Sequence, residues 1–288
     1  MNKSKNILIT GASTGIGYDL AKVFIGSGYT VFGSVRNQSD AARLREELGA
    51  GFQALVFDVT NHKAVDEAVV KLSEKIGSEG LGGLINNAGI AVGGPFMDVD
   101  IEEFRYQFEV NVIGLVKVTQ AFLPLLGARD VHGSLPGKII QISSIAGKVA
   151  MPFLSPYVGS KHAVEGISQS LRRELQLYGI DVVIIGPGAI KTPIWNKGAS
   201  EEQSDKFSSS PFFKSLGIFQ QEFVGRAIKN AWTAEKLAKK ILTVFEKPRS
   251  KTRYSFVPQA FQNAFLPGLL PARTLDRVIK KNLKLYKK

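Results

Sequence analysis

Tyr157 and Lys161 frame the segment Tyr157-Val158-Gly159-Ser160-Lys161, and Ser144 lies thirteen residues before the tyrosine. On a helix, a spacing of four puts the phenol and the ammonium on one face. A free phenol, with a pKa of about 10, is a poor acid–base group at neutral pH. A neighbouring ammonium favours the phenolate, so Tyr157 is expected to be drawn down towards neutrality. Ser144 follows an apolar run, Ile139 to Ile142, and stands where a strand should open onto a loop. A hydroxyl there is placed to hydrogen-bond charge developing on a carbonyl oxygen. The chemistry these types allow is proton transfer to or from an alcohol or carbonyl.

A second group is Thr10-Gly11-Ala12-Ser13-Thr14-Gly15-Ile16-Gly17, between the apolar Ile7-Leu8-Ile9 and an amphipathic stretch from Tyr18 to Gly28. A glycine-rich turn between strand and helix lets backbone approach a pyrophosphate and aims the helix N-terminus at its charge. Further on, Ser34-Val35-Arg36-Asn37 occupies the place where NAD-preferring folds carry an acid for the ribose hydroxyl. No acid stands there, and the planar fork of Arg36 suits a 2′-phosphate, so NADP(H) is expected over NAD(H). Cysteine is absent and His62, His132 and His162 have no ligand spacing, so a thiol nucleophile is excluded and no metal site is expected.

To bring these groups together the chain must alternate strands and helices. Short β-branched runs predict strands at 5–10, 30–35, 52–57, 81–86, 137–143, 180–186 and 253–257. Helical periods predict helices at 15–28, 39–49, 61–77, 101–127, 155–179 and 233–247. That rhythm implies an α/β fold: a doubly wound, parallel, seven-stranded sheet of Rossmann type in three layers, α/β/α. Residues 1–258 read as one catalytic domain. Within it, 193–225 lacks the rhythm and carries Trp195, Phe207, Phe212, Phe213, Phe219 and Phe223, which suits a substrate lid. Residues 259–288 form a basic extension.

Together TGASTGIG at 10–17, Asn86-Asn87-Ala88-Gly89, Asn111, Ser144, Tyr157-x3-Lys161 and Pro187-Gly188 through Thr192 resemble the short-chain dehydrogenase/reductase family over residues 5 to 192. The joint match is specific. It implies a catalytic tetrad of Asn111, Ser144, Tyr157 and Lys161, in which Asn111 holds a water relaying protons to Lys161 and Lys161 also binds the nicotinamide ribose. It implies dinucleotide contacts from Gly11, Ser13, Ile16, Gly17, Asn87, Ala88, Gly89, Pro187, Gly188, Ile190 and Thr192, with Asp58 and Val59 beside the adenine. NADP-preferring members often have a second cation inside the glycine turn. Here Ala12, Ser13 and Thr14 stand there, leaving Arg36 alone. A homodimer through 101–127 and 155–179 is implied on the same basis.

The expected pocket walls, Val92 to Phe96, Ala146 to Phe153 and the aromatic lid, are apolar. They suit a hydrophobic alcohol or carbonyl of hydroxysteroid, retinol or long-chain type. Of the formal charge of +12, all but two units fall in residues 247–288, where eleven Lys and Arg face one acid, Asp276. A nearly neutral body argues against nucleic acid. In the tail, Leu275, Val278, Ile279, Leu283 and Tyr286 keep helical spacing among cations. Two readings stay open: the helix lies on an anionic membrane surface, or its apolar face packs on the body beside the pocket. With no long apolar run at the start, the expected location is cytoplasmic, with or without peripheral contact at the inner face of a membrane. The rival to an enzyme is a dinucleotide-binding sensor or membrane-surface scaffold without turnover. The retained tetrad argues against it, since the fold alone needs none of the four.

Overall fold

The computed structural model describes residues 4–128, 135–195, 206–258 and 270–286. Strands β1 (Asn6–Ile9), β2 (Thr30–Val35), β3 (Phe52–Val56), β4 (Gly83–Asn86), β5 (Lys138–Ile142) and β6 (Asp181–Pro187) alternate with helices α1 (Gly15–Gly26), α2 (Gln38–Leu48), α3 (His62–Ile76), α4 (Ile101–Phe108), α5 (Leu115–Phe122) and α6 (Ser155–Glu174). After β6 come β7 (Ile190–Lys191), α7 (Phe213–Ile218), α8 (Gly225–Lys229), β8 (Trp232–Thr233), α9 (Ala234–Glu246), β9 (Arg253–Phe256) and α10 (Ala272–Leu283). Every pairing in the main sheet is parallel, in the order β3-β2-β1-β4-β5-β6-β9. Strand order reverses between β1 and β4. In such sheets the ligand crevice lies beyond the carboxyl ends of the strands at that reversal.

The central strands are buried on both faces, which is why they read as apolar runs such as Val182 to Ile185. One face packs against α1, α2 and α9, and the other against α3, α5 and the end of α6. Phe24, Tyr29 and Phe245 lock α9 to α1, with ring centroids 5.2 to 5.9 Å apart. Such edge contacts contribute about 1 kcal/mol each beyond their buried area. Helix starts follow side-chain caps: Asn37, Asn61, Asp100 and Thr233 accept from backbone N–H groups of the first turn.

Two expected elements differ. The helix foreseen at 101–127 is interrupted by a wider turn over Glu109–Gly114 and ends its regular part at Phe122. Within 193–225, foreseen without helical rhythm, residues from Phe213 onward are helical and continue to Lys229, and Phe212, Leu216, Phe219 and Phe223 do recur at three and four residues. Intervening Ser, Lys and Gln hide that period. The tail helix settles the packing question: Leu283 is fully buried, and with Ile279 it joins Phe153, Phe207, Leu216 and Phe219 in a third apolar cluster. The part of the lid at 196–205 and the apolar stretch at 259–269 lie outside the described residues.

Candidate active site

At the sheet's reversal, Gly11 and Gly15 take left-handed backbone, φ 66° and 58°, which bends β1 into α1. The turn is held from three sides. Ser34 accepts from the Gly11 and Ala12 amides, through its hydroxyl at 3.0 Å and its carbonyl at 2.9 Å. Thr10 Oγ1 accepts from the Asn87 and Ala88 amides, and Asn87 Nδ2 donates back to the Thr10 carbonyl at 2.9 Å. A Cβ on Gly17 would lie 2.1 Å from the Gly11 carbonyl oxygen. Gly17 is therefore beneath the turn and off the cavity wall. It contributes close approach, which corrects the expectation of a direct cofactor contact. Arg36 is exposed on that wall and, among the described residues, no carboxylate pairs with it. A glycine cradle with no room for side chains, beside an unpaired guanidinium, fits a phosphorylated dinucleotide.

At the far side of the reversal, Tyr157 and Lys161 rise from the first turns of α6, and Ser144 follows β5. Ser144, whose hydroxyl accepts from the Ala146 amide at 3.1 Å, stands on the same cavity wall as the Tyr157 phenol. Lys161 Nζ donates to the Ile142 carbonyl at 2.9 Å and sits 5.8 Å from the Tyr157 ring centre. One expectation reverses. Burial raises the Tyr157 phenol above its ordinary value, with the Ser144 hydroxyl opposing it, and the ammonium does not prevail. Lys161 itself is pushed down to about 8 by burial, with Glu165 opposing. A protonated phenol next to a lysine that keeps its charge at neutral pH is equipped to donate a proton. Asn111 stands on the wide turn after α4, accepting from the Ile90 amide at 2.9 Å and donating to Ser160 Oγ at 3.1 Å. It lies off the cavity wall and bonds to Ser160, the residue before Lys161.

These groups share one cavity of about 1250 Å³, larger than a single small ligand requires. Gly11, Ser13, Ile16, Arg36, Asp58 and Val59 line one end. Asn87, Ala88, Gly89, Pro187, Gly188, Ile190 and Thr192 line the middle with Ser144, Tyr157 and Lys161. The outer end mixes apolar Met151, Leu154, Phe219, Phe223 and, from α10, Val278 and Ile279 with polar Gln221, Glu222, Arg226 and Asn282. The expected wall at Val92 to Phe96 is not there. Gln107 Oε1 draws the Val92 amide to 2.6 Å and the Gly94 amide bonds the Phe153 carbonyl, which carries the loop outward and leaves Phe96 exposed. Phe153 takes φ 66°, a rare state for a bulky side chain, and its ring packs under the lid against Phe212 and Phe219.

A family model described as short chain dehydrogenase matches residues 5–203. The chain belongs to the short chain dehydrogenase family. An "NADPH-dependent 3-dehydrocapnine reductase" of Ornithobacterium rhinotracheale is 42% identical over 279 residues, covering 96% of each chain. Among solved structures, a short-chain dehydrogenase from Streptomyces avermitilis superposes with a TM-score of 0.75 at 26% identity, covering 99% of this chain and 98% of that one. The closed form of a serine dehydrogenase complexed with NADP+ gives 0.73 at 26% identity, covering 88% and 95%.

In this short chain dehydrogenase some supporting residues have no motif to mark them. Arg43 of α2 donates to the Ser13 carbonyl at 2.8 Å and so braces the glycine turn that lacks a cation of its own. Gln107, fully buried, holds the loop after β4 by two hydrogen bonds. The α10 residues on the wall follow the visible apolar spacing of the tail, although spacing does not say what they face. The enzyme is an oxidoreductase, as its family is.

Proposed function

We propose that this enzyme uses NADPH to reduce a hydrophobic carbonyl of long-chain or polycyclic type, with Tyr157 as proton donor. The observation that carries this is that Ser144, Tyr157 and Lys161 line one cavity with the glycine turn and with the aliphatic and aromatic side chains Met151, Leu154, Phe219, Phe223 and Ile279. Gly11, Ser13 and Ile16 would hold the pyrophosphate, Arg36 the 2′-phosphate, Asp58 and Val59 the adenine, and Asn87 to Gly89 with Pro187, Gly188, Ile190 and Thr192 the nicotinamide half. NADPH supplies the hydride when bound. The protein's part is orientation and proton supply. Ser144 and Tyr157 donate to the carbonyl oxygen as charge develops on it, the phenol proton passes to that oxygen, and Lys161 restores it. Asn111 holds Ser160, and with it the turn of α6 that carries Tyr157 and Lys161. The protonated phenol is the form that donates in the reductive direction. The reductase relative acts with the same cofactor.

The same proposal covers the surroundings. It takes residues 1–258 as one catalytic unit, 193–225 as the lid and 259–288 as an extension that covers the substrate end. The cations of α10 and the exposed Tyr286 just after it support peripheral contact with an anionic membrane from the cytoplasmic side. No helix among the described residues is long and apolar enough to cross one. Exposed Ile101 and Ile113 on α4 and the turn after it support a homodimer through these helices and α6.

Oxidation of NADPH with a panel of long-chain and steroid ketones tests the reading, with short polar ketones as controls. Turnover confined to the hydrophobic members is expected. Turnover of polar members alone, or none with any carbonyl, would overturn it.

A further inference from the structure

Glu165 is a buried acid that the reaction as described does not use. It stands one turn beyond Lys161 on α6, with its side chain 3% exposed. A carboxylate taken out of water is costly unless it is paired and hydrogen-bonded. Arg253 of β9 supplies the pairing: its Nε lies 3.0 and 2.9 Å from the two carboxylate oxygens. The same guanidinium donates to Ser255 Oγ and, through its other arm, to the Ser144 carbonyl at 3.3 Å. One planar group thus joins the helix that carries Tyr157 and Lys161 to the main chain that carries Ser144.

The surrounding backbone makes room for this pair. A Cβ on Gly186 of β6 would lie 2.4 Å from an Arg253 nitrogen, and one on Gly147 would lie 2.9 Å from Glu165 Cγ. Neither glycine has left-handed backbone. Their want of a side chain is explained by space for the ion pair. Arg253 also lies outside residues 5–203, the part that the family model matches.

We propose that Glu165 and Arg253 form one positioning unit for the redox centre: the guanidinium fixes Ser144 through its main chain, and the carboxylate sets the electrostatic surroundings of Lys161. The inference rests on the redox reading of the site. Lys161 is faced by Tyr157 and Glu165 on its own helix, while Glu165 is faced by Arg253 from β9 and by Lys148, 3.6 Å away in the turn after β5. Glu165 is the one anion of this group. Replacing it by a neutral side chain leaves Lys161, Arg253 and Lys148 together, and the ammonium loses its proton at lower pH.

The experiment compares the full-length wild type with Glu165→Gln and Arg253→Lys. In Glu165→Gln the alkaline limb of kcat/KM for carbonyl reduction should move down by roughly one pH unit. Its kcat at neutral pH should fall about tenfold through misplacement, with the Kd for NADPH changing less than about twofold. Arg253→Lys keeps a cation beside the carboxylate but loses the fork, so its kcat should fall while the limb stays at the wild-type position. A folded Glu165→Gln with an unmoved limb, or Arg253→Lys with unchanged kcat, would overturn the proposal. If Glu165→Gln does not fold, the apolar pair Glu165→Leu with Arg253→Met removes both charges and should move the limb in the same direction. NMR titration of labelled Lys161 in wild type and Glu165→Gln reads the effect without turnover, so failure of the redox reading and failure of this inference remain distinguishable. An unchanged Lys161 midpoint counts against the inference even in an inactive protein.

Discussion

Around the glycine turn, Thr10, Ser34, Asn87 and Arg43 hold the backbone by hydrogen bonds from three other elements. Around the substrate end, Phe153, Phe207, Leu216, Phe219 and Leu283 meet through ring edges and methyl groups. Among the described residues, the polar ties from the lid to the body include Ser210 to Asp98 and Lys206 to Glu103. Hydrogen bonds are directional and fix the backbone atoms of the turn proposed to hold the cofactor. Apolar packing is not directional, so the cover accepts changes of side chain that keep its volume. On the proposed reading, one end suits a constant ligand and the other a variable one.

The contrast is open to direct attack. Tyr157→Phe should have the largest effect, a loss of kcat of about a thousandfold, while NADPH binding, measured by fluorescence titration, stays within about twofold. Full activity in that variant would mean that the proton comes from elsewhere. Arg36→Asp should shift the ratio of kcat/KM for NADPH over NADH by about a hundredfold towards NADH, the loss of two charge-assisted hydrogen bonds. An unchanged ratio would remove Arg36 from the cofactor site. Phe219→Ala, at the outer end, should raise KM for a hydrophobic ketone by about tenfold and leave NADPH affinity alone. An equal loss of both would show that the two ends are not independent.

The pH dependence sharpens the same comparison. Reduction needs charged Lys161, so kcat/KM should be level below about 8 and fall above it. Stability should move the other way. The folded pKa lies below the ordinary 10.5, so between about 8 and 10.5 the unfolded chain binds more protons, and the Lys161 contribution grows as pH rises. Comparing the melting temperatures of wild type and Lys161→Met across that window should show the variant's advantage shrinking. The smallest effect is expected from deleting 273–288. KM for a hydrophobic ketone should rise a few-fold, and co-sedimentation with anionic vesicles should be lost, at about 1 kcal/mol per surface cation removed. Co-sedimentation that persists would place membrane contact elsewhere.

Most of the cofactor end was legible before any coordinates, because it depends on local spacing. Gly11, Gly15 and Gly17 mark a turn wherever they stand between a strand and a helix, and a spacing of four unites Tyr157 and Lys161 on any helix. The lid was less legible. Phe212, Leu216, Phe219 and Phe223 have helical spacing, but polar residues between them blur it, and nothing local says that they meet Leu283. The loop after β4 was misjudged because Gln107 and Phe153, each far off in the chain, decide which way it turns.

Periods of two and 3.6 residues, written into neighbouring side chains, determined the layered sheet, the dinucleotide turn and the pairing of phenol with ammonium. Only the tertiary structure decided how acidic that phenol is, since burial outweighs a charge one turn away. It also decided that α10 walls the substrate end and that Arg253 reaches Ser144. Those outcomes depend on which distant segments exclude water from one another, and residue spacing along a chain carries no record of that.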